Sequence, residues 1–515
     1  MTHFSWAIDG SIIALYLVAT MVAGIMVRRY VGRVEHFIVA GREVNVFLGI
    51  ASLAATEFGV ITCMYTAENG YKYGFAGATP GILFAVAMFF VGVTGFCINP
   101  LRHAGVMTIP ELFEKRFGAR IRWAAGVVIV LGGLLNMGVF LRITGEFLVL
   151  VGGFDLANLN RNVVVMMSIL LALGTIYTVV GGMLSVLVTD FLQFIVMSTG
   201  LLAVTILILT QIGWDRLATT VTERCGAGGF NPFLNPGMGW QYVVFNALEA
   251  MAGALTWQTT ISRLLAAKDA KTGRQIYTRT SFFFVCRFLL PGIWGIAALA
   301  WLAPDALASL PHTFQEDSTS LYAMPFFLSQ FVPVGLMGLL LAAMVAADMS
   351  STSSYMITWG SVIYNDILAP LRKTPWSEKR GLLWNRVIVS LIGVFLLFYG
   401  LWYPLKGDVY AYLLVTGTIY LASISTMLIA CCYWKRANSW GAAGAIVVGA
   451  VIPVTCLVVE QAISMLSHEL QLWRCYTGMA AFVAAGAAMI VGSLLKPAGA
   501  KPRTVEPAAG TGGEP

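Results

Sequence analysis

The sequence predicts an all-α polytopic membrane protein of about thirteen transmembrane helices. Three observations carry that reading. Of 515 residues, 58% are hydrophobic and only 11% are charged, and the mean hydropathy is +0.79, far too apolar for a soluble globular chain. Apolar runs long enough to cross roughly 30 Å of hydrocarbon recur along the whole length. Basic residues gather in alternate loops and are scarce in the others.

In chain order the runs fall near residues 8–27, 45–69, 77–99, 123–151, 162–180, 182–212, 240–262, 281–303, 325–363, 386–404, 408–433, 440–463 and 475–495. Most of the 32 Lys and Arg residues lie at 28–42, 102–122, 263–279, 372–386, 435–436 and 496–503. By the positive-inside rule the N-terminus is outside and the C-terminus cytoplasmic. The first run has no basic residue before it and Arg28 and Arg29 after it. That is the reverse of a secretory signal, so it is a retained span. With no organelle signal, the expected location is a multi-pass cell membrane, a bacterial inner membrane.

The same composition excludes several functions. The net charge of +7 resides in loops that face the cytoplasm, and nothing points to nucleic acid. The eight cysteines form no CxxC pair, and all five histidines lie outside the apolar runs. A zinc, haem or copper site is therefore not expected. An intramembrane enzyme is disfavoured because neither HExxH nor GxSxG occurs.

Two runs read as broken helices. In 45–69, AATEFGVITCMYTAENG places Glu57 beside Gly59 and Thr62 in apolar surroundings. Five spans later, NALEAMAGALTWQTT combines Glu249, Gly253, Trp257 and Gln258. The two lie at matching places in five-span halves, 45–212 and 240–433, and an odd number of spans makes the halves inverted. The remainder divides into 1–44 (first helix and cytoplasmic loop), 213–239 (extracellular loop), 434–496 (two peripheral helices) and 497–515 (a disordered cytoplasmic tail).

The run 325–363 carries Ala347, Asp348, Ser350, Ser351, Ser353 and Ser354 at mid-membrane depth. Helical spacing sets the Ala347 carbonyl and the Ser350 and Ser351 hydroxyls on one face, which suits a hard cation needing several oxygens. The alternative is that each Ser bonds back to the carbonyl four residues earlier.

Six strings, AGREVN, SLAAT, TIPELFEKRFG, YTVVGGMLSVLVTDFLQ, SRLLAAKD and AADMSSTSS, occur in order between residues 40 and 354. Through them the chain resembles the sodium:solute symporter family, which includes sodium/proline, sodium/glucose and sodium/choline transporters. The resemblance implies a leucine-transporter-like 5+5 inverted repeat with two broken helices. It implies a sodium site at the carbonyls of Ala55, Phe58 and Ala347 and the hydroxyls of Ser350 and Ser351. It also suggests a possible second site at Asp190, Ser350, Ser353 and Ser354, the alternative for Asp190 being a pair with a neighbouring Arg. Arg42 matches a family arginine and reads as a gate or loop contact. Glu57 stands where the sodium/proline branch also has a carboxylate, and so reads as an ion-coupling residue.

Intramembrane charges need partners or ligands. Arg142 and Glu146, four apart, are expected to pair, and Asp348 is expected to face a packed partner such as Arg287. Trp257 and Gln258 resemble the choline branch, where the tryptophan helps to cage a quaternary ammonium. Thr62, Glu68, Glu249, Trp257 and Gln258 are the candidates for a solute cavity. The function expected is sodium-coupled uptake of a small organic solute by alternating access. The solute is an amino acid, monocarboxylate, organic cation or similar, with choline or another quaternary ammonium as an alternative. Rival readings are proton coupling and a transporter-like membrane sensor. Sodium is the coupling ion, and no bound cofactor and no obligate protein partner are expected.

Overall fold

The structure, a computed structural model, describes residues 4–27, 32–303, 306–310, 319–374, 376–403, 408–462 and 467–496. The tail 497–515, together with Arg28 and Arg29, lies outside the described residues. Ten helical stretches of the described residues are long and apolar enough to cross a membrane. The expected thirteen and these ten differ for two reasons. Leu156–Gln211 and Val60–Thr94 each run two expected spans together, the latter taking in the second piece of the first interrupted span, and the second interrupted span, 240–262, is not among the ten.

Burial sorts the helices into layers. In Leu336–Leu371, 89% of the apolar window is inside the protein, against 22% for Asp9–Met26 and 28% for Glu469–Leu495. The serine-bearing helix Leu336–Val362 is thus central, with first and last spans at the lipid-facing rim. Its main partner is Leu159–Gln211, which turns at Gly182 (φ 57°, ψ −152°). Those dihedrals suit glycine, and a Cβ there would also press on the Phe37 ring. The bend separates the spans expected at 162–180 and 182–212.

Both interruptions are present. The first span begins at Asn45, whose side chain accepts from the Leu48 N–H at 2.9 Å, a helix cap. It runs Val46–Glu57, leaves helical dihedrals at Phe58 (φ −111°, ψ 86°), and restarts as Val60–Tyr73. The second runs Gly239–Thr256, breaks at Trp257 (φ −62°, ψ 115°), and resumes as Gln258–Ala266. Here the break falls on a tryptophan in extended backbone, which any residue adopts, and not on Gly253.

On the face carrying the basic loops the two interrupted spans are tied together. Val44 N–H donates to the Ala266 carbonyl at 3.1 Å, and Lys268 N–H donates to Val44 at 3.1 Å. Arg102 Nε adds a bond to the Ala267 carbonyl at 3.1 Å. The helix Ala270–Trp301 starts beside this clamp, capped by Asp269, which accepts from the Thr272 N–H at 2.6 Å.

Val60–Tyr73 and Ala270–Trp301 cross at bare backbone. A Cβ on Gly70 would overlap the Gly292 carbonyl, and one on Gly295 would overlap the Ala67 carbonyl oxygen. Without a hydrophobic drive inside lipid, such close approach supplies the attraction. Gly295→Val is expected to destabilise the detergent-purified protein by ~1–3 kcal/mol, read as a lower thermal midpoint. Gly486→Ala, where a Cβ meets nothing within 4 Å, is expected to leave it unchanged.

Candidate functional site

Where the first span breaks, carbonyls of its last turn lose the N–H donors that a continuing helix supplies. Ser351 fills part of that gap, its hydroxyl donating to the Thr56 carbonyl at 2.8 Å. The same oxygen lies 2.9 Å from where a Gly59 Cβ would stand, so the approach requires glycine. Ala55, Phe58 and Ala347 are fully buried. Ser350, one residue earlier, turns to a different partner and donates to Asp190 Oδ1 at 2.6 Å. Ser353 bonds back to the Ser350 carbonyl at 3.1 Å, a local bond of the kind expected as the alternative but three residues back instead of four.

Asp190 is the centre of a buried polar cluster. Its Oδ2 accepts from Ser52 at 2.5 Å and lies 3.4 Å from Thr56 Oγ1. Arg263 pairs with it at 3.2 Å, and both side chains are 0% exposed. The guanidinium also donates to Thr56 Oγ1 at 2.7 Å, to Ser52 at 3.1 Å and to Ser354. Asp190, Ser350 and Ser354 are therefore brought together as expected, but around an arginine that the site residues read from sequence omit.

Above this cluster lies a cavity of ≈ 120 Å³. Thr62, Glu249 and Trp257 line it, and so do Glu57 and Ser351. Glu57 accepts from Thr259 at 2.7 Å and Thr260 at 3.1 Å, and pairs with Arg287 at 3.2 Å. Arg287 reaches on to Thr62 at 3.3 Å and Tyr65 at 3.1 Å, with its charge over the rings of Phe284 and Phe288. Glu249 accepts from Thr418 at 2.5 Å, and no ion pair among the described residues includes it. Trp257 stacks on Tyr420 (5.8 Å, 25°) and donates from Nε1 to Tyr355 at 3.2 Å.

A second space of ≈ 390 Å³, lined by Lys72, Tyr242 and Asp408 among others, shares Tyr410 and Leu414 with the cavity. The Tyr410 hydroxyl is held by Asn246 Oδ1 at 2.5 Å, and its ring lies 4.9 Å from that of Tyr65.

Two candidate solute residues lie elsewhere. Glu68 does not line the cavity; it pairs with Lys72 at 2.6 Å and accepts from Ser320 at 2.8 Å. Gln258 is buried behind Trp257, outside the lining, with its Nε2 unpartnered. The expected Asp348–Arg287 contact does not form, because Asp348 takes the Thr144 hydroxyl at 2.7 Å while Arg287 is held by Glu57. Arg142 and Glu146 do pair, at 2.9 Å. Arg42 sits far from the cavity, pairing with Glu35 at 2.9 Å and donating to the Gly105 carbonyl at 2.8 Å, a loop contact.

Residues 37–449 match the Sodium:solute symporter family. The chain belongs to that family. It is a multi-pass secondary transporter, a sodium-coupled symporter and not an enzyme, with the leucine-transporter-like architecture. Among its relatives, the sodium/glucose cotransporter 4 of Danio rerio is 26% identical over 88% of this chain and 72% of that one. The sodium/glucose cotransporter 1 of Mus musculus is 27% identical over the same shares. A substrate-bound, outward-open Na+-coupled sialic acid symporter is similar in fold, with a TM-score of 0.76 at 19% identity, over 95% of this chain and 98% of that one.

For this symporter, Glu57→Gln leaves Arg287 as a buried unpaired charge, and the expected loss is about 3–5 kcal/mol of stability. The double variant Glu57→Gln/Arg287→Met is expected to recover most of it. Thermal unfolding of the three proteins side by side checks both outcomes.

Proposed function

We propose that this symporter takes up a small solute bearing a positively charged ammonium group, driven by sodium bound at the break of the first interrupted span. The observation that carries the solute class is the charge balance of the cavity. Glu57 and Arg287 neutralise each other, which leaves Glu249 as a carboxylate facing the space without a basic partner among the described ion pairs. Alone and buried, that carboxyl is ionised only beside a ligand of opposite sign, and otherwise holds a proton. The aromatic walls at Trp257, Tyr355 and Tyr410 add cation–π attraction, about 2 kcal/mol when desolvated.

Size narrows the class further. The space of ≈ 120 Å³ is below the roughly 150 Å³ that admits benzene in an engineered cavity. A hexose has twice benzene's heavy atoms, so the sugars named for the relatives are not the reading favoured here. A compact amine or a small amino acid suits both the charge and the volume, while choline, with one heavy atom more than benzene, suits the charge.

For sodium, the proposed oxygens are the carbonyls of Ala55, Phe58 and Ala347 with the hydroxyls of Ser350 and Ser351, joined by the Thr56 carbonyl that Ser351 already touches. Ser351 also lines the cavity. Ion and solute thus share a wall, which is how occupation of one site can order the other. With about 2.3 kcal/mol per charge per 100 mV, one sodium supports a solute gradient of about 50-fold from voltage alone. The basic loops on one face support an outside N-terminus and a cytoplasmic C-terminus. The two interrupted spans, each opening a set of five, support halves at 45–212 and 240–433.

Sodium chloride is expected to raise the thermal midpoint of the purified protein over matched potassium chloride, and Ser351→Ala to abolish the difference. An equal midpoint in both salts, with stabilisation by acid instead, would sink sodium coupling in favour of protons. In sodium, choline or a small amino acid is expected to add a further shift. Glu249→Gln, which removes a charge-assisted contact of about 1.5–3 kcal/mol, is expected to weaken that solute roughly 10- to 100-fold. Equal binding by the variant would remove the cationic reading.

A further inference from the structure

The Asp190 cluster has the oxygens of an ion site and one cation already in it. Arg263 Nη2 lies 3.2 Å from Asp190 Oδ2 and 2.7 Å from Thr56 Oγ1, and it also donates to Ser354. Nε lies 3.1 Å from Ser52, and Nη1 is 3.1 Å from Ser262. A sodium ion bound to Asp190 would draw on these same oxygens, and the Asp190–Ser350–Ser354 set would have to accept it beside a guanidinium that never gives up its charge. Ser353 is turned to a backbone carbonyl, and the oxygens left around Asp190, those of Ser52, Thr56 and Ser354, are already engaged by the guanidinium. The residues do not fit a second sodium while Arg263 is in place.

We propose that Arg263 is the resident cation of this cluster, mutually exclusive with sodium, so that the transporter carries one sodium per cycle. The proposal rests on the sodium-coupled reading above for its stoichiometry, and on geometry alone for the exclusion. Arg263 is borne by Gln258–Ala266, the piece that follows the second break. Asp190 lies in the kinked helix, Ser354 in the central serine helix, and Ser52 and Thr56 in the first interrupted span. One planar fork therefore joins four elements. A free ion at this place would join them only while bound; a tethered one does so in every cycle without being released. Lysine, with one compact ammonium, cannot reach the same spread of oxygens.

The test counts sodium ions on the purified full chain by equilibrium binding of radioactive sodium, alongside thermal midpoints in sodium and potassium chloride. Wild type is expected to bind one ion per chain, and Asp190→Asn still one. Arg263→Ala, which leaves Asp190 uncompensated, is expected to bind two and to regain in sodium the stability it loses in potassium. Asp190→Asn/Arg263→Met is expected to return to one ion with no such recovery. A wild type that binds two ions, falling to one in Asp190→Asn, overturns the proposal. So does a folded Arg263→Ala that binds no more than wild type. If Arg263→Ala does not fold in either salt, the wild-type count and Asp190→Asn decide. A wild type that binds none while Arg263→Ala gains one overturns the coupling reading and supports the exclusion; none in either overturns both.

Discussion

A backbone carbonyl released from its helix deep in a membrane protein has no water to turn to, and must find a donor or a cation. This symporter releases carbonyls twice, at Phe58 and at Trp257, and much of its interior answers to those two places. The central serine helix, the most enclosed in the fold, brings Ser351 to the first break. Gly59 is small because that hydroxyl must come close. At the second break, Trp257 leaves the helix with its indole among Tyr355, Trp359 and Tyr420, so one departure from helical geometry also builds a wall of the cavity.

Charge follows the same geography. Glu57 sits at the end of the first half-helix, and Arg263 lies within the second half-helix of the other broken span. Each is answered from outside its own span, Glu57 by Arg287 and Arg263 by Asp190. Removing one partner of such a pair leaves a charge in low dielectric, which is why these residues act as ties between elements more than as independent binders. Glu249 stands apart because its one side-chain hydrogen bond among the described residues comes from a neutral hydroxyl.

Much of this was legible in the sequence, and the reasons differ by feature. Apolar runs and basic loops fixed the class, because crossing hydrocarbon constrains every residue of a span. The break at Phe58 was readable from Glu57 and Gly59 in apolar surroundings. The break at Trp257 was readable only as a region, since tryptophan carries no signal for extended backbone. Arg142 and Glu146 were paired correctly because four-residue spacing is local. The same rule connects Glu68 with Lys72, which places Glu68 in an ion pair and out of the cavity. The partners of Arg287 and Arg263 lie 230 and 73 residues away. No periodicity reports contacts at that range; they depend on how the helices cross, which bare glycine backbone at Gly70, Gly292 and Gly295 helps to set.

Tyr410 belongs to both the cavity and the larger space beside it, and that shared wall makes the two directions of escape unequal. Toward the larger space, a bound molecule is confined by a phenol ring held by one hydrogen bond to Asn246. Toward the basic-loop face it meets the network of Thr56, Ser52, Asp190, Arg263 and Ser354, where several bonds must part together. Leaving past the ring asks one hydrogen bond and its packing on Tyr65 and Phe288 to give way. Leaving through the network asks bonds on four elements to part at once.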